Sequence, residues 1–364
     1  MRILFQLGHP AHFHLFKNVI DALKKKEYTV FILIKKKDVL EQLLTEHNFD
    51  YYNILPNGRK DSKFGIAYGQ LKQDWKLLLF SLKNKPDLLV GTSVAISHVG
   101  KLLGIPSLNV NEDDADIVPL YAKLSYPWAT SILAPSVCRM GKWNYKTIFY
   151  NSYHELAYLH PKKFKVDKEK ALKYVSLDKP FFIIRFAKLG AHHDVGIKGI
   201  SNDIASRIIE ILKPFGNIYI TSERKLDKQF DKYRILIKAS DMHHVMASSS
   251  IYIGDSQTMA AESGVLGIPF IRFNDFVGRI SYLEELENKY QLGYGIKTND
   301  VDLLYAKVEE LLKMPNRRKI FQDRKDKMLL EKIDYSAFLT WFIDNYPESK
   351  NEMEKNSDYQ YKFK

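Results

Sequence analysis

The sequence predicts an α/β protein of two domains, each a parallel sheet covered by helices on both faces. Along its 364 residues, fully apolar runs alternate with amphipathic segments, and turns rich in Gly, Ser or His join them. Apolar strands that alternate with helices are typical of parallel sheets, whose two faces are both buried. Lysines, Pro161 and Pro180 interrupt the pattern around Tyr158–Lys179, after which it begins again. We therefore expect two similar domains that face each other across a cleft.

These breaks give the expected domain boundaries. The first domain is predicted over residues 1–160 and the second over residues 161–334. Residues 335–346 have apolar side chains at helical spacing, and we expect this helix to return to the first domain. Residues 347–364 are expected to be a basic, disordered tail.

Each apolar run and each amphipathic segment gives a predicted element. Strands of the first domain are predicted at Met1–Leu7, Thr29–Ile34, Tyr51–Leu55, Asp87–Val90, Ser107–Val110 and Ser131–Ala134. Its main helices are predicted at Phe13–Lys26, Asp38–His47 and Gln70–Lys83. In the second domain, strands are predicted at Phe181–Phe186, Asn217–Thr221, Ser250–Gly254 and Pro269–Phe273, with helices at Ser201–Leu212 and Thr258–Leu266.

The composition excludes several classes of protein. Apolar residues make up 45% and charged residues 27%, as in globular proteins. Cys138 is the single cysteine, which excludes an internal disulfide and fits a reducing cytosol. The first apolar run ends at Gly8, too short for a signal peptide, and no run approaches the ~20 residues that span a bilayer. We expect a cytoplasmic protein, at most peripheral at the inner membrane.

The chain is strongly basic, with a formal charge of +12 and a pI near 9.3. This charge favours anionic partners such as nucleotide phosphates or phospholipid headgroups. A lysine-rich, AT-biased genome explains it equally well. The lysines are scattered and no recognition motif is present, so nucleic acid is not an expected partner. The sequence does not indicate the oligomeric state.

The first candidate site is the turn after the first strand, Gly8–His14. Ligands of open parallel sheets bind at the carboxyl ends of strands, and histidine suits general-base work near neutral pH. His9 and His12 are therefore candidate catalytic residues. The alternative is that one histidine caps the helix and another packs beside it. No carboxylate cluster lies nearby in the sequence, so no metal is expected.

Two further turns follow strands of the second half. Arg185 ends a buried strand and is expected to bind phosphate, with His192 or His193 in the same loop. The alternative is a salt bridge from Arg185 to Asp194. Ser222 and Glu223 follow the next strand and suit a nucleobase or phosphate, although they equally suit a simple helix cap.

The strongest candidate is the stretch Gly254–Gly264. Ser256, Thr258 and Met259 lie where a helix begins, so hydroxyl and backbone N–H groups are placed to bind a diphosphate. Glu262 follows Thr258 by four residues on the same helical face, within reach of ribose hydroxyls. The alternative has Ser256 as a cap and Glu262 as a surface residue.

An acidic cluster, Asn111–Asp116, follows a strand of the first half. Asp113 in this cluster is a candidate base or sugar-orienting residue. A solvated acidic loop is the alternative.

Three of these stretches together resemble a prokaryotic family known as domain of unknown function 354, within the GT-B superfamily. The family carries HPAHxH, RFxxxxxxHDxG and GDSxTMxxE motifs, matched here by His9–His14, Arg185–Gly196 and Gly254–Glu262. The last stretch is also similar to the diphosphate and ribose segment of the non-hydrolysing UDP-N-acetylglucosamine 2-epimerases. The resemblance covers nearly the whole chain and implies a GT-B fold of two Rossmann-like domains.

The resemblance also implies roles for single residues. By similarity to the epimerases, Ser256 contacts the phosphates and Glu262 the ribose; by similarity to GT-B transferases, His12 is the base. Gln257 and Thr258 replace the consecutive glycines of the epimerases, and their His-Arg-x-Glu-Asn segment is missing. Both departures argue against epimerase activity.

The leading interpretation is a metal-independent GT-B glycosyltransferase of surface glycan synthesis that needs no cofactor. Its substrate is a nucleotide-diphosphate sugar, expected to be UDP-linked, and its acceptor a glycan or lipid-linked molecule at the inner membrane. Arg185 and Arg272 are expected to stabilise the leaving diphosphate. One alternative is a nucleotide-sugar epimerase or hydrolase, and another is a non-catalytic binding protein of a polysaccharide cluster.

Overall fold

A computed structural model describes residues 1–58, 63–187 and 199–364 of the chain. The chain divides into two compact units. Unit 1 comprises Met1–Tyr158 and Ile333–Lys364, and unit 2 comprises Leu159–Lys332. These limits differ by two residues from the boundaries expected at residues 160 and 334.

Unit 1 contains a parallel sheet which, in the described part of the chain, has seven strands in the order β3-β2-β1-β4-β5-β6-β7. The strands are β1 (Arg2–Leu7), β2 (Thr29–Lys35), β3 (Tyr52–Leu55), β4 (Leu88–Gly91), β5 (Ser107–Val110), β6 (Ser131–Pro135) and β7 (Thr147–Tyr150). The helices of this segment are α1 (Pro10–Lys25), α2 (Leu40–Glu46), α3 (Lys63–Asn84), α4 (Val94–Leu103), α5 (Pro119–Ser125) and α6 (Leu156–Leu159). The sequence had not indicated β7.

Local sequence explains why these helices begin and end where they do. Ser93 caps α4 by accepting from the backbone N–H of Ala95 at 3.2 Å. Gly104 ends α4 in the left-handed region with a φ of 68°, which glycine adopts without strain. The buried side chains Leu4, Leu33 and Leu89 then pack with α4 in one hydrophobic core.

Unit 2 contains a second parallel sheet, in which the described residues form five strands in the order β12-β11-β10-β8-β9. The strands are β8 (Phe181–Phe186), β9 (Asn217–Ser222), β10 (Ile251–Gly254), β11 (Phe270–Phe273) and β12 (Gly293–Ile296). The helices are α7 (Lys168–Leu172), α8 (Asn202–Leu212), α9 (Met242–Ser248), α10 (Gln257–Val265), α11 (Ser281–Glu284), α12 (Val301–Lys313) and α13 (Arg317–Glu331). Strand β12 was also not predicted.

The chain ends in unit 1 with α14 (Tyr335–Asp344) and α15 (Glu348–Lys355). Helix α14 packs on α1, and the Asp344 carboxylate accepts from Lys26 Nζ at 2.6 Å and from Tyr28 Oη at 2.8 Å. These contacts hold α14 against α1 of unit 1, the return to the first domain that its apolar stripe predicts.

The expectation of a basic, disordered tail over residues 347–364 was wrong. After α15, residues Ser357–Phe363 form a 3₁₀ helix, in which Tyr359 stacks on Trp341 of α14 and Phe363 packs against the same ring at a tilt. The Gln360 side chain is buried and accepts from the backbone N–H of Asn151 at 2.6 Å. Aromatic contacts with Trp341 and a balance of four lysines against four carboxylates explain the order of this segment.

No helix within residues 1–58, 63–187 and 199–364 is long and apolar enough to cross a membrane.

Candidate functional site

Both sheets have a point where the strand order reverses, and ligands of open α/β sheets bind beside such points. In unit 1 the reversal lies between β1 and β4, because β2 and β5 continue in opposite directions. In unit 2 it lies between β8 and β10. The His9–His12 turn follows β1, and Arg185 and Ser256 lie at the ends of β8 and β10. The sequence-predicted residues thus mark the reversal point of each sheet.

The turn after β1 is held by two ring nitrogens. His9 precedes α1 in an extended conformation, and its Nδ1 accepts from the backbone N–H of Ala11 at 3.2 Å. His12 Nδ1 accepts from the backbone N–H of Gly8 at 3.1 Å. Pro10 occupies the first helical position, where a missing N–H costs nothing. Both histidines therefore use Nδ1 to fix the turn.

This geometry fixes the tautomer of His12. A backbone N–H can only donate, so Nδ1 of His12 keeps its lone pair and the neutral ring carries its proton on Nε2. Burial lowers the pKa of His12 well below its ordinary value, and His9, Lys35 and His154 lower it further. His12 is therefore a neutral ring with Nε2–H as its remaining polar group. Such a group donates a hydrogen bond rather than accepting a proton, unlike the base expected from the sequence.

A second group of residues lies where β5 and β7 end. The backbone N–H of His154 donates to Glu112 Oε2 at 3.1 Å, and His154 Nδ1 lies 3.4 Å from Glu112 Oε1. Burial lowers the pKa of His154 to about 3, against an opposing effect of Asp113. Since His154 also acts on the pKa of His12, Asp113, Glu112 and both histidines share one neighbourhood. Sequence reasoning missed His154 because β7 was not predicted.

The acidic cluster after β5 divides in two. Asp114 is buried, accepts from the backbone N–H of Arg139 at 2.6 Å and lies 3.3 Å from its guanidinium. Asp116 also pairs with Arg139 at 3.3 Å. These two carboxylates are thus structural, and only Glu112 and Asp113 lie on the histidine side.

In unit 2, Ser256 caps α10 by accepting from the backbone N–H of Met259 at 3.4 Å. Thr258 and Met259 lie half-buried in the first turn. The first N–H groups of a helix have no partner within it and carry partial positive charge. The α10 N-terminus therefore presents an anion-binding end beside the sheet reversal point.

Glu262, one turn further along α10, is buried rather than on the surface, with 6% exposure. Its Oε1 accepts from His243 Nε2 at 2.9 Å. His243 lies on α9 and is also buried. The sequence gave no sign of this pairing, because the two residues are 19 positions apart on different helices. Any role of Glu262 in ligand binding must include His243.

The candidates after β8 and β9 contact each other. Arg185 and Glu223 form an ion pair through Nη2 and Oε1. The Ser222 hydroxyl donates to the Arg224 carbonyl at 2.6 Å and accepts from the Arg224 N–H at 3.1 Å, so it closes a local turn. His193, with His192 and Asp194, lies outside the described residues. The structure thus brings Arg185 to a carboxylate that the sequence had placed in a different candidate site.

Asp255 was not among the predicted site residues, although it lies between two of them. Its carboxylate accepts from the backbone N–H groups of Ala187 at 2.6 Å and Ile200 at 3.3 Å. Arg224 Nη2 lies 3.8 Å away. Burial raises the pKa of Asp255 to about 6, against the effect of these donors. Asp255 therefore ties the chain at Ala187 and Ile200 to the reversal point of unit 2.

The expectation that Arg272 assists a diphosphate was wrong. Arg272 is 0% exposed, and Glu287 accepts from its Nε at 2.8 Å and from its Nη2 at 3.0 Å. Asn274 and Glu284 lie at 3.4 and 3.6 Å from the same guanidinium. This arginine is paired inside the unit 2 core, where a buried cation requires carboxylate partners.

Among the described residues, no group of three or more His, Cys, Asp or Glu side chains is arranged to hold a metal ion.

The sequence matches one family over most of its length. Residues 1–336 match the family model described as "Protein of unknown function (DUF354)". No curated protein sequence matches the chain.

Several solved structures have a similar fold, among them UDP-GlcNAc 2-epimerases and glycosyltransferases. UDP-GlcNAc 2-epimerase from Neisseria meningitidis, bound to UDP-GlcNAc, matches with a TM-score of 0.60 at 16% identity, over 91% of this chain and 100% of that chain. S. aureus MnaA with UDP matches with a TM-score of 0.67 at 12% identity, over 98% and 97% of the two chains. The spinosyn forosaminyltransferase SpnP matches with a TM-score of 0.65 at 14% identity, over 93% and 97%. At such identities the likeness shows the fold, and the predicted GT-B fold is confirmed.

Proposed function

Because the chain belongs to the family described as "Protein of unknown function (DUF354)", which names no activity, we propose its function from the site. The proposed protein is a metal-independent glycosyltransferase that moves a sugar from a UDP-linked donor to a glycan or lipid-linked acceptor. Its place is surface glycan synthesis at the cytoplasmic face of the membrane. The observation that carries this proposal is the Ser256-capped α10 N-terminus with the His243–Glu262 pair one turn beyond it.

Unit 2 is proposed to bind the donor. The diphosphate lies on the first-turn amides of α10, where the helix dipole and Arg185 offset its negative charge. The Glu262 carboxylate accepts from ribose hydroxyls while His243 holds one of its oxygens in place. Two of the structurally similar proteins are described with UDP or UDP-GlcNAc bound, which supports a uridine nucleotide.

Unit 1 is proposed to bind the acceptor. In transfer, the bond from the anomeric carbon to the diphosphate oxygen breaks and a bond to the acceptor oxygen forms. The UDP leaves with the bonding pair, and the acceptor proton passes to a carboxylate, which we assign to Asp113. His12 donates its Nε2–H to a substrate oxygen, consistent with its tautomer and lowered pKa. His9 holds the turn that positions His12.

The proposed function is tested by incubating the protein with UDP-, GDP- and dTDP-linked sugars, with and without a polyprenyl-phosphate acceptor. We expect nucleoside diphosphate release that depends on the acceptor and is greatest with a UDP-sugar. Absence of binding and of turnover across all the donors contradicts the proposal.

The runner-up is an epimerase, which the similarity to UDP-GlcNAc 2-epimerases favours. Proton NMR of UDP-GlcNAc in deuterated water separates the two, because epimerisation exchanges the proton at C2 of the sugar without an acceptor. Deuterium at C2 in the absence of acceptor supports the epimerase, and its absence together with acceptor-dependent release supports the transferase.

A further inference from the structure

Helix α3 of unit 1 has large apolar side chains on its outer face as well as on its inner face. Five large apolar residues spaced by three or four positions form one stripe, each between 45% and 68% exposed: Tyr68, Leu71, Trp75, Leu79 and Leu82. The inner face carries Leu77, with Leu78 and Phe80 beside it, and these side chains pack in the unit 1 core. The outer face of such a helix in a globular protein is normally polar. The outer stripe therefore lies largely outside the unit 1 core and is available for contact.

The stripe continues onto the neighbouring helices α4 and α5. His98 of α4 connects them, because its Nδ1 lies 2.9 Å from Asp74 Oδ2 of α3 and its Nε2 lies 2.8 Å from the Leu124 carbonyl of α5. Leu102 follows His98 by one turn and is 70% exposed. Trp128 packs edge-on against His98 at 6.2 Å between ring centroids. We call these exposed side chains, together with the α3 stripe and Leu120 and Leu124, the α3–α5 surface.

The charge on the α3–α5 surface is strongly basic. Residues 63–84, 94–104 and 117–130 contain six lysines and one carboxylate, Asp74. On α3, Lys72, Lys76 and Lys83 are exposed beside the apolar stripe. Asp74 is paired with His98 and raises the pKa of that histidine, so the one carboxylate is compensated. The surface therefore combines exposed apolar and aromatic side chains with uncompensated positive charge.

Two occupants fit an apolar surface of this kind, a second copy of the chain or a lipid bilayer. A twofold dimer places the same patch on both partners, so the lysines beside the stripe would approach lysines. An anionic bilayer instead attracts the lysines, takes up the leucines, and favours Trp and Tyr at the level of its headgroups. The charge and the aromatic content both favour the bilayer.

We infer that the α3–α5 surface binds the protein to a bilayer that contains anionic phospholipid. Binding at this surface would bring unit 1 to a lipid-linked acceptor. This role of the surface rests on the proposed function. The binding itself depends only on apolar and charged contacts and is measurable without turnover.

The test is co-sedimentation with phosphatidylcholine vesicles that contain either 30 mol% phosphatidylglycerol (about the anionic fraction needed for a clear electrostatic effect) or none. We expect the wild-type protein to bind the anionic vesicles, more weakly at high salt, and not the neutral ones. The double variant Trp75→Ala/Leu79→Ala should bind at least ~10-fold more weakly, since two apolar side chains no longer enter the bilayer. Leu330→Ala in unit 2, which truncates an exposed leucine outside the α3–α5 surface, is the control and should bind like the wild type.

Light scattering and UDP titration of the same three proteins complete the test. Equal vesicle binding by the double variant and the wild type overturns the inference. A wild-type dimer that the double variant converts to monomers, without vesicle binding, overturns it in favour of a second copy, and a monomer that binds no vesicles overturns it outright. UDP binding is expected to be the same in all three proteins, so loss of vesicle binding and failure of the proposed function are distinguishable.

Discussion

The side chains at the two sheet reversal points differ in their charge state and in their partners. In unit 2 the carboxylates have basic partners, since Glu223 pairs with Arg185 and Glu262 accepts from His243, beside a helix N-terminus. In unit 1 the histidines are kept neutral, since burial lowers the pKa of both His12 and His154. Paired charges and helix dipoles suit the binding of an anion, whereas neutral, buried rings suit hydrogen bonding to a reacting group. On the proposed function, this difference assigns donor binding to unit 2 and the reacting groups to unit 1.

The largest effect is expected from the removal of Arg272, a buried charge of unit 2 that lies outside the proposed binding site. Arg272→Ala should destabilise unit 2 by about 3–5 kcal/mol, because Glu287 is then left buried and unpaired. Chemical denaturation measures this. Arg272→Ala protein that is still folded, at low denaturant, should bind UDP like the wild type, and a selective loss of UDP affinity contradicts the structural role of Arg272.

Variants of His12 test directly whether the unit 1 histidine donates a hydrogen bond or acts as a base. His12→Ala should lower kcat by about 10²–10³, as removal of a transition-state hydrogen-bond donor does. His12→Gln keeps an N–H near the position of Nε2 and should stay within ~10-fold of the wild type. If His12 is instead the general base, the His12→Gln and His12→Ala variants are equally inactive. The pH profile of kcat in the wild type then shows a titration that both variants lack.

Asp255 gives unit 2 a pH dependence of stability. Its pKa is raised to about 6 in the folded protein, above its unfolded value, so the native state binds this proton more tightly. The resulting stability is fully present below the unfolded pKa and is lost as the pH rises through about 6. The free energy of unfolding of the wild type, relative to Asp255→Asn, should therefore fall by up to about 3 kcal/mol between pH 4 and pH 7.5.

Chemical denaturation of both proteins across this pH range measures the effect of Asp255. The helix content before denaturant is added shows that both proteins start from the folded state. A difference between wild type and Asp255→Asn that stays constant with pH contradicts the raised pKa.

The smallest expected effect concerns the ribose. Glu262→Gln should weaken UDP binding about 10-fold, the size of one charge-assisted hydrogen bond, and leave the binding of 2′,3′-dideoxy-UDP unchanged. The deoxy ligand is the control, because it lacks the hydroxyls that Glu262 is proposed to bind. Equal weakening for both ligands would show instead that the variant acts through the loss of its bond to His243.

Most of the two sheets could be predicted because their strands are continuous apolar runs. Strand β12 could not, since its sequence GYGI has two glycines, which are unfavourable in strands. The structure explains them: a Cβ on Gly293 would lie 2.4 Å from the Phe270 ring, and one on Gly295 would lie 2.3 Å from the Glu287 carboxylate. Close packing at these two positions therefore requires glycine, and glycine is the residue that keeps the sequence from being recognised as a strand.

The candidate site was predictable only in part, for a related reason. Turns at the ends of strands indicate where His12, Arg185 and Ser256 lie, because parallel topology collects them at one edge of each sheet. Sequence spacing does not indicate partners on other elements. The contact of Asp255 with Ala187 joins positions 68 apart, and that of Glu112 with His154 joins positions 42 apart. These contacts, rather than the residue types, determine which side chain is neutral, paired or structural.

The central claim, that a nucleoside diphosphate binds at the N-terminus of α10, is tested most directly by UDP titration of two Ser256 variants. Ser256→Asn and Ser256→Asp both preserve the helix cap, since Asn and Asp cap as well as Ser, but only Asp adds a negative charge where the diphosphate is proposed to lie. Calorimetry should give Ser256→Asn an affinity within ~3-fold of the wild type and Ser256→Asp one weaker by ~10-fold or more. Equal affinities in the two variants, or no UDP binding by the wild type, would contradict the account.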